Sequence, residues 1–438
     1  MAPAIGQASF SSPYTTQCSG SSVLGIVTTL QTNIDAKWSA QFGETAATSP
    51  LACTGRGIEV GFESGSNPEA LNALGATSGV RNAEYSFAGN EEPPSLGEWL
   101  SIDLGNEPGH NSGLIRQIPV ATTAIAPIVT FPAGCALPEK EATGDGRFTV
   151  SNASLEKVYA GEIVTWGELL PDIETACAST PIKRVVPNSS EGTSFVFKQW
   201  LNTVNKSRGW TSLGNAEWPN DSGVSATVRA PFGDRSEAQT VAETNGAIGF
   251  ASLPNARSEG FGVFSPENTH HNNSGRFWLS VTNGASERVE PTRDPHSGAN
   301  NVKGANCDNP TFNYVPSGYD TTATPIWRSV SAAGSKTGWP ICTLTYALAW
   351  DDASTVYGNT ETREAMQRTV KDYLAFVLGT EGQEEAENRD YSKLPSGLLA
   401  DAQDGQSRVG WKKIPGSKEE VQAAVKVEIS ADETHRNP

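Results

Sequence analysis

The sequence predicts an α/β chain of two lobes. Three observations point there. Polar loops rich in Ser, Thr, Gly and Asn run into helical patterns near Ser22, Ser66 and Thr193. The stretch Ile115 to Phe131 is long, apolar and rich in β-branched residues, so it reads as a strand crossing from one lobe to the other. A length of 438 residues suits two lobes better than one.

Composition narrows the class. Hydrophobic residues make up 37% and charged residues 18%, which places the chain with globular proteins. The net charge of −17 argues against nucleic acid or an anionic membrane as partner. It also means that a bound anion must be held by local dipoles against a repulsive field. No apolar run reaches membrane-spanning length. The first residues, Met-Ala-Pro-Ala-Ile-Gly-Gln, lack the basic and apolar regions of a signal peptide. Either the signal is missing from this chain or the protein is cytosolic. The six cysteines, Cys18, Cys53, Cys135, Cys177, Cys307 and Cys342, form no CxxC pair. Their even number, with only two Met and much Ser, Thr and Asn, suits a secreted protein with disulfides. Cys18 with Cys53 is the pairing expected first.

In chain order, Val23, Leu24, Ile26, Val27, Leu30, Ile34, Trp38 and Phe42 recur at helical spacing after a Ser/Gly loop. Ile58 to Phe62 alternates and reads as a short strand. Ser66 or Asn67 then caps a helix, with Pro68 in its first turn. Tyr85 to Asn90 is a short strand before Glu91 and Glu92. Ala153 to Tyr159 reads as a capped helix with a glycine stop, followed by a turn at Trp166. Lys183 to Val186 is a brief strand. Gly246 to Phe250 is a tight turn into a buried strand. Residues 265–318 are rich in Asn, Ser, Gly and Pro and read as a long surface insertion. Trp339 to Trp350 is another long strand. Arg363 to Leu378 is an amphipathic helix, and residues 412–438 form a charged tail.

The most informative stretch runs from Asn188 to Asn205. Ser189, Ser190, Gly192, Thr193 and Ser194 precede a helix with Phe197, Trp200, Leu201 and Val204 on one face. The first N–H groups of a helix have no partners within it. Small residues leave them open, and the helix dipole favours negative charge there. Plain capping by Ser and Thr is the competing explanation.

Taken together, these segments resemble the phosphate-binding protein of bacterial phosphate ABC transporters. Glu191-Gly-Thr-Ser-Phe-Val-Phe197 lies in register with that family's phosphate loop. Leu155 to Trp166, Gly246 to Phe250, Trp339 to Tyr346 and Asp390 to Pro395 follow in the family's order. The resemblance covers about residues 18–411. It implies a two-lobed periplasmic-binding-protein-like (type II) fold with the ligand in a cleft between the lobes. Residues 1–120 with 268–411 would form lobe I, 121–267 lobe II and 412–438 the tail. It also implies ligand groups: the Ser22 side chain with the Val23 N–H, Ser64 or Ser66, then Gly192 and Thr193. Glu91 falls where the family uses a carboxylate to accept the proton of hydrogen phosphate.

Two departures stand out. The family arginine falls on Pro187 and a family serine on Glu191. A lost charged hydrogen bond costs roughly 1.5–3 kcal/mol. A carboxylate about 4 Å from a phosphate charge repels it by about 4 kcal/mol at an effective dielectric near 20. Glu191 has three places to go: into the cleft, back onto its own helix start, or out to solvent. Arg184, Arg229 and Arg235 are the nearest replacement cations by family layout.

Other chemistry finds little support. His270-His271 lacks spaced partners for a metal. There is no G-x-S-x-G and no Gly-Lys-Ser or Gly-Lys-Thr. The sequence therefore predicts a non-enzymatic, monomeric, extracytoplasmic solute-binding protein without a cofactor. The resemblance implies that it takes phosphate or a similar anion for an ABC permease or a cell-surface partner. The alternatives are a module that keeps the fold and has lost the ligand, or a site retuned for a neutral or cationic solute.

Overall fold

A single 16-residue strand, Ile115–Thr130, carries the chain from one half of the molecule to the other. The computed structural model describes residues 20–44, 58–104, 115–138, 148–210, 218, 226–262, 275–293, 304–307, 337–358 and 360–411. Its strands are β1 (Val23–Thr28), β2 (Val60–Gly65), β3 (Phe87–Asn90), β4 (Ile115–Thr130), β5 (Phe148–Thr149), β6 (Lys183–Pro187), β7 (Thr227–Ala230), β8 (Ala247–Ser252), β9 (Arg276–Thr282), β10 (Arg288–Val289) and β11 (Cys342–Trp350). The main path of the sheet runs β2-β1-β3-β11-β4-β8-β6-β7. Residues 115–124 of β4 pair with β11, and residues 125–130 pair with β8.

The long strand has a local break with a physical cause. Pro119 offers no N–H to the ladder, and the β4–β11 register slips there, between Thr345 and Tyr346. Elsewhere β4 and β11 are buried throughout, apart from the last residue of β4. That is why both read as long, mostly apolar runs, although β4 also buries Arg116 and Gln117.

On each side of this crossing, three strands are parallel. β1 pairs with β2 and with β3, and β6 pairs with β7 and with β8, all in parallel. Parallel strands send their C-terminal ends to one edge. Both sets of loop–helix starts therefore gather there, as ligand crevices in open α/β sheets do.

Local signals place the helices. Ser66 caps the Asn67–Ala73 helix through a capping box with Glu69, with Pro68 in the first turn. Gly161 stops the Asn152–Ala160 helix at φ 76°, a left-handed conformation that glycine takes without strain. The Gly192–Val204 helix is fixed to β8 by Phe197, whose ring stacks on Phe250 at 4.3 Å between centroids. Tyr159 meets Phe197 edge-on at 4.9 Å. Such aromatic pairs are worth about 0.5–1.5 kcal/mol beyond their buried area. They hold the start of this helix at the cleft. The Glu361–Val377 helix buries Val370, Tyr373, Leu374 and Val377, as its periodicity predicts.

Two expectations fail. Val23–Thr28 is a strand, and the helix begins only at Thr32 and runs to Glu44. An apolar run flanked by helical spacing cannot distinguish strand from helix by periodicity alone, and parallel pairing to β2 and β3 decides it. Part of 265–318 is not a surface insertion. β9 buries Phe277, Trp278, Leu279 and Val281 and pairs with Ile128–Thr130 of β4. Residues 276–282, expected in the first lobe, thus pair with the second-half portion of β4.

Disulfides join Cys135 to Cys177 and Cys307 to Cys342. The expected Cys18–Cys53 pair, His270-His271 and the 412–438 tail lie outside the described residues. Among the described residues, no helix is long and apolar enough to cross a membrane.

Candidate functional site

The C-terminal ends of β1, β2 and β3 face those of β6, β7 and β8 across the cleft. β1 ends at Thr28 and is followed by Thr29; β2 is followed by Ser66 and Asn67; β3 is followed by Glu91. On the other side, β6 is followed by Glu191 and Gly192, and β7 by Gly233 and Asp234.

Glu91 is the centre of the first half's contribution. It is 1% exposed. Its Oε1 accepts hydrogen bonds from the hydroxyls of Thr28 (2.6 Å) and Thr345 (3.2 Å). Its backbone N–H donates to Asn67 Oδ1 at 3.2 Å, which turns the amide group of Asn67. Glu91 Oε2 and Asn67 Nδ2 have no hydrogen-bond partner among the described residues. Both lie against Gly192: a Cβ there would sit 2.4 Å from Glu91 Oε2 and 3.0 Å from Asn67 Nδ2.

The second half brings the Gly192–Val204 helix. Its N-cap is Glu191, whose side chain makes no capping bond to the helix. Thr193 and Ser194 are 1% and 0% exposed, and both hydroxyls lack a partner among the described residues. Buried polar groups normally find partners. Two hydroxyls, one amide nitrogen and one carboxyl oxygen are thus left without hydrogen bonds around this helix start.

Glu191 does not lie back on that helix start and does not face solvent; it is 2% exposed. It reaches sideways across the cleft. Oε2 accepts from Thr29 Oγ1 at 3.0 Å, and Oε1 accepts from Ser189 Oγ at 2.6 Å and from the Gly233 N–H at 3.1 Å. Thr29 Oγ1 in turn accepts from the Asp234 N–H at 3.1 Å. Beside this, Asn33 Nδ2 donates to Asn255 Oδ1 at 2.7 Å, a second direct link between the halves. Asp234 is held by Ser252 and Asn255.

The electrostatics are unusual for an anion site. Burial pushes Glu91 up to about 8; hydroxyls of Thr28 and Thr345 oppose this, and the charges of Glu191 and Asp234 add to it. Burial pushes Glu191 up to about 7, opposed by Ser189, Thr29 and Gly233 and aided by Asp234. Burial likewise raises Asp234, and raises Glu237, one turn further on, well above its ordinary range. A protonated carboxyl can donate a hydrogen bond, so near neutral pH this cluster need not repel an oxyanion.

The expected replacement arginines point elsewhere. Arg184 donates to the Tyr159 carbonyl and to Thr227 Oγ1, and Arg229 to the Pro187 carbonyl. Arg235 lies 73% exposed beside Glu259.

A pH dependence follows. The folded protein holds protons on Glu91 and Glu191 above the pH at which an unfolded carboxyl has released them. Stability is therefore full below about pH 4.5 for these groups and is lost as pH rises through 7 and 8. Each group contributes about 1.4 kcal/mol per pH unit over which only the folded chain keeps its proton. Denaturant unfolding of the ligand-free protein should show falling stability from pH 5.5 to 8.5. The Glu91→Gln variant should show a shallower slope, and an equal slope would remove Glu91 as its source.

Of the residues expected at the site, Glu91, Glu191, Gly192 and Thr193 come together, and Ser66 sits at the rim as the cap beside Asn67. Ser22 does not join them. It is exposed at the opposite end of β1, where its Oγ accepts from the Glu59 N–H, while the Val23 N–H bonds to the Glu59 carbonyl. The physical reason is the strand at 23–28, which moves the loop at the cleft to Thr28–Thr29. Ser64 is exposed on β2 beside Thr32, 3.2 Å between hydroxyls. Sequence reasoning missed Thr28, Thr29, Asn67, Ser194 and Asp234. Asn67 was legible as part of a helix start; Asp234 had no signal beyond following a Pro-Phe-Gly turn.

A family model for the PBP superfamily domain matches residues 106–300. Solved structures share the chain's two-lobed fold. A DING protein is 17% identical, covers 87% of this chain and 93% of its own, and superposes with a TM-score of 0.59. A phosphate binding protein from Stenotrophomonas maltophilia is 13% identical over 87% of this chain and 92% of its own, with a TM-score of 0.56. A high-affinity periplasmic phosphate-binding protein, PfluDING, solved bound with phosphate, is 17% identical over 90% and 100%, with a TM-score of 0.54. At these identities the likeness establishes the fold, while the ligand must be argued from the residues of this cleft.

Proposed function

We propose that this protein is an extracytoplasmic binding protein that captures phosphate or a similar small oxyanion between its lobes. The observation that carries the reading is the group of unpartnered, buried Asn67 Nδ2, Thr193 Oγ1, Ser194 Oγ and Glu91 Oε2 at an uncapped helix start. Phosphate-bound PfluDING has the same fold. Glu91 either accepts the O–H of a protonated anion or, when protonated itself, donates to an oxygen. The protein performs no chemistry. Delivery to an ABC permease extends this reading through the family resemblance, and closure would follow because the ligand touches both lobes.

Isothermal titration calorimetry with phosphate, arsenate and sulfate at pH 6 tests it. Phosphate and arsenate should bind one to one. Absence of heat from all three would end the oxyanion reading.

One observation favours a second reading. Glu191, Thr29 and Asp234 join the halves directly, so the cleft can be closed with its own carboxyl in place of a ligand. That describes a module that keeps the fold without transport. It predicts no ligand-dependent change in radius of gyration by small-angle scattering.

A further inference from the structure

β4 changes its partner strand between Ala124 and Ile125. Ala124 pairs with Cys342 of β11 in the first half, and Ile125 pairs with Ser252 of β8 in the second. A strand that leaves one sheet for another in a single step makes a hinge, because only a few backbone angles there need to change for the halves to swing. This hinge is braced. The Ile125 N–H donates to the Ile341 carbonyl at 2.8 Å, and the Ile125 carbonyl accepts from Trp339 Nε1 at 3.0 Å. Both backbone polar groups of the first residue past the crossing are thus tied to the segment that leads into β11.

The chain returns to the first half between β10 and β11, by way of residues 304–307. That short piece is stitched to both halves. On the side of β9 and β10, the Asn306 N–H donates to the Pro291 carbonyl at 2.8 Å, and Asn306 Nδ2 donates to the Glu290 carbonyl at 3.1 Å. On the first-half side, the Ala305 N–H donates to the Tyr391 carbonyl at 3.2 Å, and the Asn306 carbonyl accepts from the Trp339 N–H at 3.0 Å. Beside Asn306, Cys307 is bonded to Cys342, the residue that pairs with Ala124 at the crossing. The two cysteines are 35 positions apart in the sequence. Through the disulfide the return connection is one covalent bridge, whereas along the peptide it takes the full 35 positions. A longer connection leaves its ends more freedom.

We propose that the Cys307–Cys342 disulfide is a hinge clasp. It pins the return connection to the crossing point of β4 and holds the halves at the setting where Thr29 meets Glu191 and Asn33 meets Asn255. The other disulfide has no such part. Cys135–Cys177 joins the turn after β4 to the Thr175–Ala178 helix, within the second half alone.

The test compares the ligand-free full chain with its Cys307→Ala/Cys342→Ala and Cys135→Ala/Cys177→Ala variants, by small-angle scattering and amide hydrogen exchange. The Asp234 N–H, which donates to Thr29 across the cleft, reports on the seam. The Val129 N–H, in the part of β4 that pairs with β8, reports on the second half itself. Loss of the clasp should enlarge the radius of gyration and speed exchange at Asp234 relative to Val129, and loss of Cys135–Cys177 should do neither. These readings need no ligand, so they stand whatever the cleft binds. If the oxyanion reading holds, phosphate affinity should also fall about tenfold in the clasp variant, as a closed fraction reduced to about a tenth requires. Wild-type protein treated with dithiothreitol supplies the same readings should that variant not fold. The dithiol is oxidised to its cyclic disulfide, and Cys307 and Cys342 each take up one electron and one proton as thiols. An unchanged radius and unchanged Asp234 exchange on losing the clasp overturn the proposal. So does an equal change on losing Cys135–Cys177.

Discussion

Glu191→Ser is expected to raise phosphate affinity by about a hundredfold or more at pH 8 and to change it little at pH 5.5. The carboxyl is 2% exposed at the cleft, and burial places its titration at about 7. At pH 8 most of it is charged. A carboxylate 4 to 8 Å from a phosphate charge repels it by about 4 to 2 kcal/mol per charge at an effective dielectric near 20. Against this, the variant loses the hydrogen bond from Thr29 that helps hold the halves together, and the bond from the Gly233 N–H within its own half. Bonds to a charged group are worth about 1.5–3 kcal/mol. For a phosphate dianion the repulsion is the larger quantity, so its removal wins. At pH 5.5 Glu191 is protonated, the repulsion is absent, and only the lost bonds remain. Calorimetry at the two pH values measures both. An affinity at pH 8 that stays level or falls would show that Glu191 holds the cleft together rather than guards it.

Gly192→Ala should lower ligand affinity by about tenfold to a hundredfold while leaving the melting temperature unchanged or slightly raised. The two effects separate because the clash lies between halves. A Cβ at 192 would approach Glu91 Oε2 at 2.4 Å and Glu91 Cβ at 2.7 Å, and Glu91 belongs to the opposite side of the cleft. The Cβ of Glu91 is fixed by the backbone and cannot swing away. Overpacking of this kind costs about 1–3 kcal/mol, charged here to closure. Within its own helix, alanine is the better residue than glycine by up to about 1 kcal/mol. Scattering should show a larger radius for the variant in the presence of ligand. Unaltered affinity would mean that the lobes do not approach this closely when ligand is bound.

These effects rest on different amounts of sequence information. Ile115–Thr130 and Cys342–Trp350 were legible as strands because burial on both faces leaves long, mostly apolar runs rich in β-branched residues. The start of the Asn67–Ala73 helix was legible because Ser66, Pro68 and Glu69 are adjacent and act locally. The Gly192–Val204 helix and its open start were legible for the same reason. The conformation of 23–28 was not: its apolar residues suit either period until β2 and β3 pair with it from both sides. That one misreading displaced the first loop from Thr28–Thr29 to Ser22. β9 was hidden because a short strand between polar segments carries its signal only in the buried Phe277, Trp278 and Leu279.

The chain alone determined the helix caps, the long strands and the choice of small hydroxyl residues before Phe195, since each depends on neighbours within a few positions. Tertiary structure decided the candidate site, because Glu91, Asn67 and Gly192 meet only when parallel strands from two halves turn their C-terminal ends toward one crevice. It also decided the protonation there. A glutamate's charge state depends on how much water reaches it, and for Glu91 and Glu191 only the closed packing of both halves removes that water.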